Sequence, residues 1–243
     1  MTGQSLFLSR LRAYLLIDPL IVLATAVWGA ASMLASVWDK SGRTQHAIAR
    51  QWGRILLAVS GVRLRVEGLD KLHEEGAYVL VANHSSYMDT PAVLALPLQI
   101  RFFAKRGLFR IPLLGGHLRR AGHLPVVREN PRASVKSLSE GARLMRERAI
   151  SVVIFPEGGR SPVKLREFKE GAAYLAIKAR VPAVPVGIIG TRQVLPMGSF
   201  HVRPGAVTIR IGDPISTDGM KLDARGELNQ RLREKVAELI SEP

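Results

Sequence analysis

The N-terminal part of the chain and the rest differ in how their apolar residues are spaced. From Leu20 to Trp38, nineteen consecutive residues carry no charge, close to the roughly 20 apolar residues that a helix needs to cross a bilayer core. The next segment, Arg43 to Ser60, places apolar side chains such as Trp52 at helical spacing against arginines. We therefore expect two membrane-associating helices within residues 1–60.

A cleaved signal peptide is the alternative interpretation of the uncharged run. The run is longer than the roughly 7–15 apolar residues usual in such a peptide. Small residues also recur in it at a spacing of four, as in Ala26 and Ala30 or Ala31 and Ala35, which lets another helix approach closely in lipid. We expect the helices to be retained. Basic residues flank the run on both sides, so its orientation stays open, as does whether it spans the bilayer or only enters it.

Beyond Gly61, short strand-like runs alternate with longer helix-like segments. This alternation predicts an α/β domain over residues 61–243, with a mixed, largely parallel sheet flanked by helices. Ligands of such sheets bind beyond the carboxyl ends of the strands. The predicted strands are Val62–Glu67, Tyr78–Ala82, Ile100–Ala104, Ser151–Phe155, Val184–Ile189 and Val207–Ile211, and the predicted helices are Thr90–Leu96, Pro131–Arg148, Glu170–Ala179 and Ala224–Ile240.

Charge and cysteine content narrow the possible partners. The 35 basic and 20 acidic residues give a net charge of +15. Residues 1–180 hold 27 of the basic and 13 of the acidic ones, so the positive potential favours nucleic acid, an anionic membrane or a phosphorylated substrate as partner. The absence of cysteine excludes disulfides, thiolate metal sites and a cysteine acyl relay.

His84 and Asp89 follow the apolar run that predicts the second strand. On one helix, five positions would separate the two side chains by about 140° around the axis, so they meet only if the chain turns between them. Asp89 can then bind one imidazole nitrogen and leave the other as a general base. Alternatively Asp89 only caps the helix that begins near Thr90.

Two further segments combine charged and apolar residues. Between Asp89 and Glu129 there is no acidic residue, and phenylalanines and leucines alternate with cations, a mixture typical of a membrane interface or of an ordinary solvated surface. Farther on, Glu157, Gly158 and Arg160 form a glycine turn after a predicted buried strand. Arg160 can bind a phosphate there, and Glu157 can hold Arg160 in place or bind a hydroxyl. Alternatively, the two residues form a simple surface ion pair. The seven cations of the first segment are Arg101, Lys105, Arg106, Arg110, Arg119, Arg120 and Arg128.

Together these motifs resemble the glycerolipid acyltransferases, specifically the bacterial 1-acylglycerol-3-phosphate acyltransferases, over roughly residues 60–215. His84 and Asp89 match the His-x4-Asp block, 122–128 the second block, 155–158 the third and 181–186 the apolar fourth. The chain departs from the family at Pro125, where an aromatic residue is usual, and at Gly159, where threonine is usual. Lys105 resembles the family's lysine upstream of the second block, and the N-terminal helices resemble a two-helix membrane anchor.

The resemblance implies the glycerolipid acyltransferase fold and transfer of an acyl group from a thioester to the free hydroxyl of lysophosphatidic acid, giving phosphatidic acid. His84 is then the general base and Asp89 its orienting partner. Lys105, Arg128 and Arg160 hold the phosphate, and Glu157 with Gly158 orders that site. No acyl-enzyme, metal or cofactor is expected beyond acyl-CoA or acyl-carrier-protein as co-substrate.

The implied partners are lysophosphatidic acid, an acyl thioester, membrane lipids and, where it presents the donor, acyl carrier protein. The implied location is the cytoplasmic face of a bacterial inner membrane. One rival is an acyltransferase with another acceptor, such as glycerol 3-phosphate or another lysolipid, because Pro125 and Gly159 alter the acceptor-binding blocks. A second rival is a non-catalytic basic protein that binds membranes or nucleic acid. The apolar N-terminus and the lack of a recognisable nucleic-acid module disfavour nucleic acid.

Overall fold

The computed structural model describes residues 3–126, 131–161 and 164–241. Within them, seven strands form one sheet in the order β1-β7-β6-β2-β5-β3-β4. The strands β6, β2, β5, β3 and β4 are parallel to one another, whereas β7 runs antiparallel to β6 and carries β1 parallel to itself. The strands are β1 Val62–Glu67, β2 Val79–Ala82, β3 Ile100–Lys105, β4 Leu124–Val126, β5 Ser151–Ile154, β6 Ala183–Ile189 and β7 Gly205–Ile211.

Helices cover both faces of this sheet, which confirms the predicted mixed, largely parallel α/β fold. The helices α1 and α2 are continuous through a π-helical turn at Ala13–Ile17. The helices are α1 Gly3–Arg12, α2 Asp18–Ala35, α3 Arg43–Val59, α4 Asp89–Leu94, α5 Leu114–Arg120, α6 Pro131–Arg148, α7 Gly171–Ala179, α8 Thr191–Val194 and α9 Arg225–Ser241.

The central strands are buried on both sides, as expected for parallel strands between helix layers. In β2, Leu80 packs into the core that α3 and α4 cover, and its neighbours Val79 and Val81 pack into the core that α6, α7 and α9 cover. All three side chains are almost completely buried. The sheet is therefore a rigid base, and its carboxyl-terminal edge holds the loops in fixed positions.

The N-terminal helices pack on the domain and on each other. Phe7–Ala35 is, within the described part of the chain, the one helix long and apolar enough to cross a membrane. Trp52 of α3 donates to Thr25 Oγ1 of α2 at 3.1 Å. A β-carbon at Gly53 would lie 2.8 Å from the Pro91 carbonyl, so α3 also lies against α4. The predicted domain boundary after residue 60 stays a prediction.

Several features differ from the sequence-based expectation, among them the unpredicted short helix α8. The strand β4 was not predicted, because it is short and contains Pro125, a residue tolerated at a sheet edge. The helix α5 was not predicted, since glycine is a poor helix former. Arg101 does not face lipid headgroups: its side chain is only 1% exposed and donates to the carbonyls of Ile100 and Gly42 at 2.9 and 3.0 Å.

Candidate active site

The loop after β2 begins with a side chain that extends the sheet. Asn83 is buried and exchanges two hydrogen bonds with the backbone of Ile188 in β6, at 2.9 and 2.7 Å. The Asn83 side-chain amide thus continues the hydrogen-bond ladder between β2 and β6 by one more step. As a result, the position of His84 is fixed relative to both β2 and β6.

His84 and Asp89 meet where the chain turns into α4. The Asp89 carboxylate is fully buried, and its Oδ2 lies 2.7 Å from His84 Nδ1. The same oxygen accepts hydrogen bonds from the backbone N–H groups of Ser85 and Ser86, at 2.8 and 2.9 Å. With Nδ1 donating to Asp89, Nε2 of His84 is the acceptor nitrogen. Asp89 does not act as a side-chain cap of α4, so the geometry favours the orienting role over the capping alternative.

Residues after β5 hold His84 from the other side. The Phe155 ring stacks on the imidazole, with centroids 4.1 Å apart and an interplanar angle of 17°. Glu157 is buried; its Oε1 accepts from the His84 backbone N–H at 2.7 Å, and its Oε2 accepts from the Arg166 N–H at 3.1 Å. Glu157 therefore fixes the backbone of His84. Among the described residues it forms no ion pair with Arg160, contrary to one sequence-based interpretation.

The turn after β5 directs Arg160 onto an aromatic ring. Gly158 has a φ of +73°, a conformation that favours glycine. The Arg160 guanidinium carbon lies 3.4 Å from the centroid of the Tyr87 ring. Its Nη1 is buried and has no hydrogen-bond partner within the described residues. A buried unpaired donor of this kind is suited to an anionic ligand.

Lys105 lies on the same edge of the sheet but farther along it. Phe102 and Leu80 both pair with Val153 of β5, so Lys105 at the end of β3 is level with Asn83 at the end of β2. Two strand spacings of about 4.8 Å separate β3 from β2, and the Lys105 side chain is exposed. Arg128 lies outside the described residues, so its predicted place in the site stays a prediction.

A cavity of about 160 Å³ opens beside His84 on the β6 side. Sequence reasoning had missed several of the side chains around it, namely Lys164, Arg192 and Gln193. Two hydrogen bonds tie its walls to the His84 loop: Ser85 Oγ lies 3.1 Å from Thr191 Oγ1, and the Ser161 N–H donates to the His84 carbonyl at 2.8 Å. Neither Lys164 nor Arg192 lies in a motif block, so no sequence signal marked them.

A second group of histidines lies away from this cavity, around the buried Arg101. Burial, followed by the charge of Arg101, lowers the pKa of His46 to about 3 and that of His117 to about 4. Burial and neighbouring His117 hold the pKa of His123 well below its usual range. These imidazoles are neutral at physiological pH and serve as hydrogen-bonding groups of the core: His46 Nε2 lies 2.7 Å from the Leu98 carbonyl oxygen.

Comparison with known proteins places this geometry in a family. The family profile described as Acyltransferase matches residues 63–189. The 1-acyl-sn-glycerol-3-phosphate acyltransferase of Limnanthes douglasii is 32% identical over 207 residues, which are 84% of this chain and 73% of that protein. The chloroplastic 1-acyl-sn-glycerol-3-phosphate acyltransferase of Arabidopsis thaliana is 35% identical over 196 residues, 79% of this chain and 53% of its own length.

A solved structure is similar over nearly the whole chain. The crystal structure of the 1-acyl-sn-glycerophosphate acyltransferase of Thermotoga maritima superposes with a TM-score of 0.79 at 25% sequence identity. The match covers 96% of this chain and 97% of that one. The similarity therefore includes the N-terminal helices as well as the sheet.

Proposed function

Because the chain belongs to the acyltransferase family, we propose that it moves a fatty acyl group from an acyl thioester to the free hydroxyl of 1-acylglycerol 3-phosphate, producing phosphatidic acid. The names of its relatives support this substrate class. The observation that carries the proposal is the buried Asp89 carboxylate 2.7 Å from His84 Nδ1, at an edge where a cavity opens.

The proposed reaction needs only one proton acceptor. A glycerol hydroxyl is a poor nucleophile at neutral pH, so Nε2 of His84 removes its proton as the oxygen attacks the thioester carbonyl carbon. The new C–O bond forms, the C–S bond breaks, and the proton passes from His84 to the departing thiolate. Asp89 stabilises the transient imidazolium and, with the stacked Phe155, keeps the ring oriented. No acyl-enzyme, metal or cofactor takes part in this proposal.

The acceptor's phosphate is held by cations at the same edge. Arg160 supports this role because its Nη1 is buried and unpaired within the described residues, while Tyr87 fixes the plane of its guanidinium. Lys105 and Arg128 are proposed to contribute through their charge. Glu157 orders the site through the His84 and Arg166 backbones, and Gly158 provides the turn.

We further propose that the enzyme works at the cytoplasmic face of a bacterial inner membrane, with acyl-CoA or acyl carrier protein presenting the donor. The apolar helix Phe7–Ala35 supports membrane association. Only 11% of the residues in its most apolar 18-residue stretch are buried, so most of the helix surface is free for contact with lipid. Lysophosphatidic acid resides in that lipid, and an interfacial site avoids exposing its acyl chain to water at about 0.8 kcal/mol per methylene.

One experiment tests the reaction and its main rival together. The purified full-length protein in detergent receives labelled acyl-CoA and, separately, 1-acylglycerol 3-phosphate, glycerol 3-phosphate or other lysolipids, and the products are separated by chromatography. We expect labelled phosphatidic acid as the dominant product. Faster labelling of another acceptor would support the rival suggested by Pro125 and Gly159. Absence of any labelled lipid would contradict the enzymatic proposal.

A further inference from the structure

We propose that Lys164 and Arg192 form an additional phosphate-binding subsite, which takes the phosphate of the acceptor in the cavity beside His84. This inference rests on the proposed function and deepens it, because it adds to the proposed phosphate contacts two cations that the four motif blocks do not mark. Both residues line the 160 Å³ cavity together with His84 and Glu157.

Two independent connections hold this pair of cations close to the base. Arg192 is in α8, which begins directly after a glycine turn at the end of β6, and its neighbour Thr191 contacts Ser85. Lys164 follows Ser161, whose hydroxyl donates to the Lys164 carbonyl at 2.5 Å and whose N–H donates to the His84 carbonyl. The backbones that carry both cations are therefore fixed relative to the imidazole.

Within the described residues, the two cations of this cavity are not paired with protein carboxylates. Among the described residues, neither Lys164 nor Arg192 forms an ion pair, whereas Arg143, Arg210 and Arg225 each pair with a glutamate. The carboxylate that lines the cavity is Glu157, and both of its oxygens accept backbone N–H groups. An anion that enters the cavity thus meets two cations that form no ion pair, beside a carboxylate whose oxygens already accept backbone N–H groups.

The covalent structure of the substrates determines whether the phosphate of the acceptor or a phosphate of the donor can reach this subsite. In 1-acylglycerol 3-phosphate, the carbon with the reacting hydroxyl is bonded directly to the carbon that carries the phosphate ester. When the hydroxyl contacts His84, the phosphate must therefore lie in the immediate surroundings. The phosphates of the donor are at the other end of the pantetheine arm from the thioester, so they lie outside a cavity of 160 Å³ that contains the reacting group.

The test compares single alanine variants of Arg192 and Lys164, the double variant, and a matched control, Arg63→Ala. Arg63 is also exposed but is in β1, two strands away from β6, and it does not line the cavity. We measure KM and kcat of the full-length protein for 1-acylglycerol 3-phosphate and for acyl-CoA, and the rate with phosphate-free 1-acylglycerol. Binding of glycerol 3-phosphate is measured separately by calorimetry.

We expect Arg192→Ala to raise the acceptor KM about tenfold, as for loss of one charge-assisted contact, with the double variant more affected. The KM for acyl-CoA and the rate with 1-acylglycerol should be unchanged, and glycerol 3-phosphate should bind more weakly. Arg63→Ala should behave like the wild type. Unchanged acceptor KM and glycerol 3-phosphate affinity in the double variant, or an effect confined to acyl-CoA, would overturn the subsite.

Failure of the proposed function has a different signature. In that case, the wild-type protein itself makes no phosphatidic acid, whatever residue stands at position 192. The calorimetric measurement does not depend on turnover, so glycerol 3-phosphate binding that depends on Arg192 and Lys164 supports the subsite, and binding that does not depend on them contradicts it.

Discussion

His84 lies beside a buried carboxylate, whereas His46, His117 and His123 surround a buried arginine. Asp89 offers His84 a negative charge at 2.7 Å, so a proton taken up during the reaction is compensated at once. Burial, together with the charge of Arg101, opposes a proton on the other three imidazoles. The same side chain is therefore the proposed proton acceptor in one region and a neutral hydrogen-bonding group in the other.

The difference has a structural cause in how each region is closed. His84 keeps 17% of its side chain exposed at the end of β2, where a substrate can reach Nε2. His46 and His117 are enclosed between the N-terminal helices and the sheet domain, and His117 Nδ1 lies 2.6 Å from Ser32 Oγ of α2. The geometry of the first region fits the proposed proton transfer, and the second joins the apolar helix α2 to the domain.

Replacement of His84 is the change with the largest expected effect. His84→Ala should lower kcat by about 10²–10⁴-fold, because the general base is lost. The thermal midpoint of unfolding should change little, since the His84 side chain lines the cavity and does not belong to either hydrophobic core. The acyl-transfer assay and a melting curve on the same preparation measure both. Near-normal turnover of the purified variant would exclude the proposed mechanism.

Asp89→Asn tests whether the negative charge of Asp89 is what makes His84 differ from the three histidines around Arg101. The amide keeps the size of the side chain but removes the charge that compensates the imidazolium, so kcat should fall by at least about a hundredfold. The acceptor KM should change much less. If kcat stays within a few-fold of the wild-type value, the Asp89 carboxylate is an ordinary structural group of the loop.

His46→Ala should give the opposite result in the second region. The variant loses a buried hydrogen bond to the Leu98 carbonyl, which should lower the free energy of unfolding by about 1–3 kcal/mol. kcat at a temperature well below the midpoint should remain close to that of the wild type. A large loss of kcat without a loss of stability would show that the second region takes part in the chemistry.

The sequence predicted much of this arrangement, and its failures have specific physical causes. The predicted strand Val62–Glu67 is found with the same bounds, and the predicted second strand differs from β2 by starting one residue early. These strands could be predicted because an alternation of apolar and polar residues, or an unbroken apolar run, is visible within the strand's own sequence. Contact between His84 and Asp89 was one of two interpretations of their spacing, and it required a turn between the two residues. The burial of Arg101 did not follow, since it depends on the Gly42 carbonyl, which is distant in sequence. Glu157 was expected near Arg160, but its acceptor sites are filled by backbone groups that no pattern displays.

The smallest expected effect is a change in how stability depends on pH. Folding lowers the pKa of His117 from its ordinary value of 6.5 to about 4, so below pH 6.5 the unfolded chain binds a proton that the folded chain does not. The free energy of unfolding must then fall as the pH falls, by about 1.4 kcal/mol per pH unit for each such histidine, and for His117 this loss ends near pH 4. His117→Asn keeps a polar group near Ser32 but removes the titration, so its stability should decline less steeply between pH 6.5 and 4.5. The measurement is the unfolding free energy in detergent at several pH values, with His73→Asn as the matched control, because His73 is an exposed histidine in the loop before β2. Equal slopes for wild type and His117→Asn would mean that His117 takes up its proton in the folded protein, and the contrast between the two histidine regions would then be confined to geometry.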